Sequence, residues 1–170
     1  MKLKDFSIGF EGLKLGKHEF NFLVDNTFFK DLEYSEIREG LVSVEAVFNK
    51  TERLMEIDLD FKGEVIVTCD LCGEDLVQQI SFKESVVIKS GNQEDEDQGI
   101  IILDKNETEV NISHYLYESI SLSLPTKRTH PQIDGEPKCD EALIAKINKK
   151  EDGKSDDDID PRWAALKKLK

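Results

Sequence analysis

One stretch decides the fold, namely residues 41–61, which read LVSVEAVFNKTERLMEIDLDF. Apolar side chains alternate with polar ones from Val42 to Phe48, and the alternation resumes from Met55 to Phe61. A period of two is typical of strands that bury one face of a sheet. The polar residues 49–52 separate the two runs, so the stretch predicts a hairpin of antiparallel strands.

The same pattern extends to both sides of this hairpin. Residues 20–24 alternate upstream, residues 76–89 continue the strand character downstream, and residues 100–103 predict one further short strand. Residues 62–64 contain a glycine and predict a second turn. We therefore expect an antiparallel sheet, curved or barrel-like, formed by residues 1 to about 104.

A helix is predicted after the sheet, around residues 112–122. Asn111 is expected to cap it, and Pro125 to end it. Its apolar face carries Ile112, Tyr115, Leu116 and Ile120. Residues 141–148 predict a second short helix, and the fold class is therefore α+β, with one or two helices packed on a sheet.

The composition divides the chain into two parts. Residues 1–148 predict the α+β domain, with an acidic loop at 91–99, and residues 149–170 predict a flexible C-terminal arm. This arm consists of an acidic linker and a short basic helix, for which Asp160 and Pro161 are a strong start signal. A helix of this length is marginal alone, so its apolar stripe should pack on its own domain or bind another molecule. The predicted partner-binding residues are Arg162, Trp163, Leu166, Lys167 and Lys168.

Charge is unevenly distributed along the chain. The net charge is −13, but residues 1–160 hold 19 basic and 36 acidic side chains, a net charge of −17, whereas the last ten residues hold four basic groups and no acid. Affinity for nucleic acid comes largely from neutralising phosphates, so the body should repel RNA. We expect any RNA contact to be confined to the C-terminal tail, and a basic protein partner to suit the body.

Several classes of protein are disfavoured. No apolar run has the length of a signal peptide core or a membrane span, which predicts a cytoplasmic protein. The sequence also has no glycine-rich phosphate loop, no nucleophile elbow and no histidine pair at helical spacing. His18 and His114 have no nearby cysteine and are expected to have ordinary structural roles. We therefore predict a protein that is not an enzyme.

The cysteines indicate a metal site. Cys69 and Cys72 are followed by Gly73, which suits the turn of a zinc knuckle, where backbone N–H groups face two sulfur atoms. Cys139 and His130 are the remaining ligand types in the later loop, so the predicted ligands of a structural zinc ion are these three cysteines and His130. Two alternatives are buried thiols without metal and a redox dithiol. The strand-like pattern after Cys72 disfavours the second, since a reactive pair usually begins a helix.

In three of its motifs the chain resembles the YceD family of large ribosomal RNA subunit accumulation proteins. The motifs are, in order, a strand followed by the Cys69 and Cys72 pair, residues 112–125 ending in Ser-Leu-Ser-Leu-Pro, and residues 160–166. The resemblance covers roughly residues 40–170. Many relatives carry a basic residue where this chain has Leu71, and some carry a second cysteine cluster where this chain has His130 and Cys139.

The resemblance implies a non-enzymatic factor needed for normal levels of large-subunit ribosomal RNA. Its gene often lies beside that of a small basic ribosomal protein, which implies a basic ribosomal protein or a pre-ribosomal particle as partner. Two other functions remain open, a zinc-binding or thiol-redox protein without a link to ribosomes, and a general adaptor domain.

Overall fold

The computed structural model describes residues 3–32, 34–90, 100–104, 106–131, 139, 142 and 144–146. Within these ranges, a short 3-10 helix at Leu3–Phe6 precedes the strands and α-helices. The strands are β1 (Ser7–Gly9), β2 (Gly16–Val24), β3 (Glu39–Lys50), β4 (Met55–Thr68), β5 (Asp75–Ser90), β6 (Ile100–Leu103) and β7 (Glu109–Asn111). The helices are α1 (Asn26–Lys30) and α2 (Ser113–Ser123). In this part of the chain no helix is both long and apolar enough to cross a membrane.

The described residues fall into two compact units. The first, here called the sheet unit, comprises Met1–Thr68 and Asp75–Arg128. The second, here called the ligand unit, comprises Cys69–Glu74 and Thr129–Lys170. Each unit is described by itself.

The predicted hairpin forms the centre of the sheet unit. β3 and β4 pair antiparallel with Phe48 opposite Ile57 and Val44 opposite Phe61. The five-stranded sheet has the order β2-β3-β4-β5-β6, and β1 and β7 pair in a separate two-stranded sheet. The side chains of one face are buried and those of the other are largely exposed, as the period of two predicts.

Two expectations about the sheet are wrong. The sheet is not barrel-like, because β2 and β6 are its edges and do not pair with each other in the described structure. Closure of a barrel requires hydrogen bonds between the first and last strands. The sheet is also not wholly antiparallel, since β6 runs parallel to β5, with Ile101 opposite Ile88.

The predicted turn at residues 62–64 is wrong as well. β4 continues through this segment, and Gly63 pairs with both Val42 and Ile80 inside the sheet. A Cβ atom at Gly63 would lie 2.1 Å from the carbonyl oxygen of Leu41. The glycine therefore permits close backbone approach in mid-strand, which is a recognised use of glycine in sheets.

Helices cover the buried face. α1 was not predicted; Asp25 caps it by accepting hydrogen bonds from the backbone N–H groups of Thr27 and Phe28. Phe28 is buried against Phe6, with ring centroids 4.9 Å apart. These rings extend the apolar core beyond the sheet itself.

The helix predicted at residues 112–122 is confirmed as α2. Ile112, rather than Asn111, occupies the N-cap position, although Asn111 Oδ1 accepts a hydrogen bond from the Ser113 backbone N–H. Leu116 and Ile120 are fully buried. Of the predicted second helix, residues 142 and 144–146 are helical, and the other residues of 141–148 lie outside the described residues.

Candidate metal centre

The cysteine pair lies in the turn that connects β4 to β5 in the chain. The backbone N–H of Cys69 donates to the Glu74 carbonyl at 2.8 Å, and the N–H of Gly73 donates to the Cys69 carbonyl at 3.0 Å. Gly73 has a φ of 76°, a conformation that glycine adopts without a steric penalty. The positive φ expected for Gly73 is therefore confirmed, and the Cys69 and Cys72 sulfur atoms lie within 4.8 Å of each other.

Four ligand atoms converge in the ligand unit. They belong to Cys69, Cys72, His130 and Cys139, here called the ligand cluster, and all lie within 4.8 Å of one another. The Cys69 and Cys139 sulfur atoms are 3.6 Å apart, and His130 Nδ1 lies 3.4 Å from the Cys72 sulfur and 3.5 Å from the Cys139 sulfur. The structure thus brings together the residues that the sequence predicts as ligands.

These separations fit a tetrahedral zinc site. Zn–S bonds of about 2.3 Å and Zn–N bonds of about 2.0–2.1 Å at tetrahedral angles give edges of about 3.8 Å between sulfur atoms and about 3.5 Å between sulfur and nitrogen. The three contacts of 3.4–3.6 Å lie within about 0.2 Å of those edges, and the other pairs of ligand atoms lie within 4.8 Å. The cluster therefore has the spacing of ligands that surround one ion.

Burial supports the same interpretation. Cys69, Cys139 and His130 are exposed by only 2%, 3% and 6%, whereas Cys72 is partly exposed. The three cysteines are free thiols rather than partners in a disulfide. Buried polar groups in native proteins usually have bonding partners, and a metal ion would serve all four groups at once.

The backbone of the turn prepares Cys69 for metal binding. Burial is the largest single influence and raises the pKa of its thiol, but the backbone N–H groups of Cys72, Leu71 and His130 and the Cys72 side chain form hydrogen bonds with the sulfur. Together these bonds outweigh burial and lower the pKa to about 6. The thiolate is the form that binds metals, so Cys69 is largely ready to bind at neutral pH.

Cys139 has the opposite environment. Burial and the neighbouring Cys69 and Cys72 side chains raise the pKa of the Cys139 thiol to about 11. At neutral pH the Cys139 thiol therefore keeps its proton. A divalent cation bound to the cluster would displace this proton, since a coordinated thiol is deprotonated outright.

The donor set restricts the metal and its role. Soft thiolates and imidazole suit zinc, whereas magnesium and calcium prefer oxygen ligands. Four protein ligands complete the usual coordination of zinc and leave no position for substrate, which is typical of structural sites.

Other predicted residues are accounted for separately. His18 bonds the Lys14 carbonyl, and the exposed side chain of His114 on α2 lies 2.9 Å from Glu118 Oε1, so neither belongs to the ligand cluster. The predicted partner-binding residues of the C-terminal tail and the acidic loop at 91–99 lie outside the described residues. The backbone donors that the sequence predicts for the knuckle are those of Leu71 and Cys72, whereas the further donor from His130 was not predicted.

The fold and the cluster define a class, the small α+β proteins with a cysteine-rich site in a strand-to-strand turn. The family model for the large ribosomal RNA subunit accumulation protein YceD matches residues 57–170 of the chain. The chain therefore belongs to the YceD family, and the suspected resemblance is confirmed. No curated protein and no solved structure matches the chain.

Proposed function

We propose that the protein is a non-enzymatic factor that supports the accumulation of large-subunit ribosomal RNA and ribosome biogenesis. The observation that carries this proposal is the family match, which covers most of β4 and everything after it, including β5 and the knuckle. The family description refers to the large ribosomal RNA subunit. The partner that we propose is a basic ribosomal protein or a pre-ribosomal particle.

A structural zinc ion is the second part of the proposal. The residues that would hold it are those of the ligand cluster, and the ion would cross-link the β4–β5 turn to residues 130 and 139. Such a cross-link joins parts of the chain that are 58 to 70 residues apart. Metal-binding free energy then contributes directly to folding of the ligand unit.

The outer face of the sheet supports a basic partner. This face is the exposed side of β3–β5, and its acidic side chains are Glu39, Glu45, Glu56, Asp58, Asp60, Glu64 and Asp75. Its basic side chains are Lys62, Lys83 and Lys89, and the first two bond Asp60, at 2.9 and 3.0 Å. A shallow cavity of about 540 Å³ on the sheet is lined by Glu45, Asp58 and Asp60, among others. The surplus of carboxylates would attract a lysine- or arginine-rich segment.

Charge reversal tests this face. A Glu45→Lys/Asp58→Lys variant should weaken binding to basic large-subunit ribosomal proteins by about tenfold or more, because like charges meet across the interface. A Glu11→Lys/Asp31→Lys variant makes the same charge change at exposed positions outside the sheet and should bind normally. Equal loss of binding in both variants would mean that binding depends on the net charge of the chain and not on this face of the sheet.

Deletion of the gene tests the cellular role. We expect a lower ratio of large to small ribosomal subunits, restored by the wild-type chain and less well by the Glu45→Lys/Asp58→Lys variant. A tail variant lacking residues 160–170 tests direct RNA contact, which we propose for the basic end alone. An unchanged subunit ratio in the deletion strain would reject the ribosomal role.

One observation favours a second candidate function, a zinc-binding or thiol-redox adaptor without a link to ribosomes. The Cys69 and Cys72 sulfur atoms lie within 4.8 Å of each other in one turn, close enough for a dithiol pair. In that case a Cys69→Ser/Cys72→Ser variant would lose reductase activity, and deletion of the gene would leave the subunit ratio unchanged.

A further inference from the structure

The four members of the ligand cluster are not equally protected. The side chains of Cys69, Cys139 and His130 are buried, whereas Cys72 is partly exposed. Leu71, its neighbour at the tip of the turn, is 37% exposed. A dissolved oxidant therefore reaches the Cys72 sulfur before the other two, since susceptibility follows thiolate character and exposure.

We propose that Cys72 is a peroxide-reactive modification site whose oxidation leads to a Cys69–Cys72 disulfide and the release of zinc. The inference rests on the zinc site proposed above and adds a chemical reactivity to it. It requires a hydroperoxide as oxidant and a thiol as the reductant that restores the site.

Cys69 is the partner best placed to complete the reaction. Its sulfur lies within 4.8 Å of the Cys72 sulfur, and both residues belong to one six-residue turn closed by backbone hydrogen bonds. Cys139 is the competitor, because its sulfur also lies within 4.8 Å of the Cys72 sulfur, but Cys139 belongs to a separate segment of the chain rather than to the turn.

The oxidation takes place in two steps, first at the Cys72 sulfur and then between the two sulfur atoms. The Cys72 thiolate attacks one oxygen of the peroxide, an S–O bond forms, the O–O bond breaks, and the departing hydroxide or alkoxide takes a proton. The Cys69 thiolate then attacks the Cys72 sulfur, an S–S bond forms, and the S–O bond breaks with loss of hydroxide, which also takes a proton. The two sulfur atoms together lose two electrons, and the peroxide gains them.

Zinc cannot remain tightly bound after this reaction. The disulfide sulfur atoms are no longer thiolates, and only His130 and Cys139 of the ligand cluster are left. Zinc sites of the structural class use four ligands, so two leave the ion free to escape to a chelator. A dithiol reductant reverses the disulfide and restores the complete set.

The experiment uses the full-length zinc-loaded chain and hydrogen peroxide. Zinc release is followed with a chromogenic chelator, a sulfenic acid trap is added after brief exposure, and peptide mapping locates both the trapped residue and the disulfide. We expect trapping at Cys72, a Cys69–Cys72 disulfide, one zinc released per chain, and recovery with dithiothreitol. In a Cys72→Ser variant, the part of the zinc release that depends on peroxide, measured against the same variant without peroxide, should be at least about tenfold slower.

Three results would overturn the inference: zinc retained under peroxide, trapping at a buried cysteine, or a disulfide that contains Cys139. The trap acts on the wild-type chain, so the answer does not depend on whether Cys72→Ser folds. A purified chain that takes up no zinc would reject the zinc site instead. None of these four results bears on the ratio of large to small ribosomal subunits, which tests the ribosomal role separately.

Discussion

The sheet unit and the ligand unit are stabilised in different ways. In the sheet unit, buried apolar side chains from every strand of the main sheet and both α-helices form a continuous core. In the ligand unit, the buried residues among those described are Cys69, His130 and Cys139. These three residues all belong to the ligand cluster, and metal ligation is the usual source of stability for small cysteine-containing elements.

Among the variants predicted below, removal of one zinc ligand should give the largest effect, and this effect should be confined to the ligand unit. Zinc-binding free energies of about 10–16 kcal/mol shared over four ligands imply roughly 3 kcal/mol for each, or about a 100-fold loss of affinity. His130→Ala should therefore lower zinc affinity by about this factor, measured by competition with a chelator. His114→Ala is the matched control and should bind zinc normally, because His114 is exposed on α2.

The same His130→Ala protein should keep the spectrum and the cooperative unfolding of the sheet unit. The apolar core of that unit contains none of the ligand residues. A collapse of the β-sheet signal on loss of zinc would contradict the distinction between the two units.

Truncation of a side chain in the apolar core should give the next largest effect. Phe61 is fully buried and stacks on Phe82 with ring centroids 4.4 Å apart. Phe61→Ala should lower the free energy of unfolding by about 3–5 kcal/mol, measured by chemical denaturation. Val77 is 54% exposed, so Val77→Ala should change the free energy of unfolding by less than about 0.5 kcal/mol. Loss of zinc from a Phe61→Ala protein that is still folded would contradict the view that the two units are stabilised in different ways.

Stability of the zinc-free chain should depend on pH through Cys69. Its folded pKa of about 6 lies below the ordinary value of 9.0, because backbone hydrogen bonds outweigh burial. The contribution is therefore fully present above pH 9 and is lost as the pH falls through about 6. Cys139 acts with the opposite sign, since its raised pKa gives a contribution that is lost as the pH rises through about 11.

Ultraviolet absorbance of the thiolate measures this titration. The zinc-free chain should show a step near pH 6 that disappears in Cys69→Ser and persists in Cys139→Ser. Persistence of the step in Cys69→Ser would assign the low pKa to another group.

The helix cap of α1 gives the smallest effect. Asp25 Oδ1 accepts hydrogen bonds from the Thr27 N–H at 2.9 Å and the Phe28 N–H at 3.3 Å. Asp25→Ala should cost about 1 kcal/mol of unfolding free energy, and Asp25→Asn, which retains a capping oxygen, much less. Equal losses in both variants would attribute the effect to charge rather than to capping.

Sequence patterns predicted the sheet well where alternation was strong. The β3–β4 hairpin, β5 and the helix after the sheet follow directly from periods of two and 3.6. The pattern failed at Gly63, where a glycine that usually marks a turn permits close backbone approach inside β4. It also missed α1, because five residues are too few to display helical periodicity.

The sequence by itself determined the alternation that forms the sheet, the segregation of charge, and the four residue types suited to zinc. These are local properties, since they depend on residue identity and short spacing. Only the tertiary structure decided that the sheet stays open, that β6 runs parallel to β5, and that His130 and Cys139 meet Cys69 and Cys72. Each of these depends on contacts between residues distant in the chain, and a single sequence carries no direct record of such contacts.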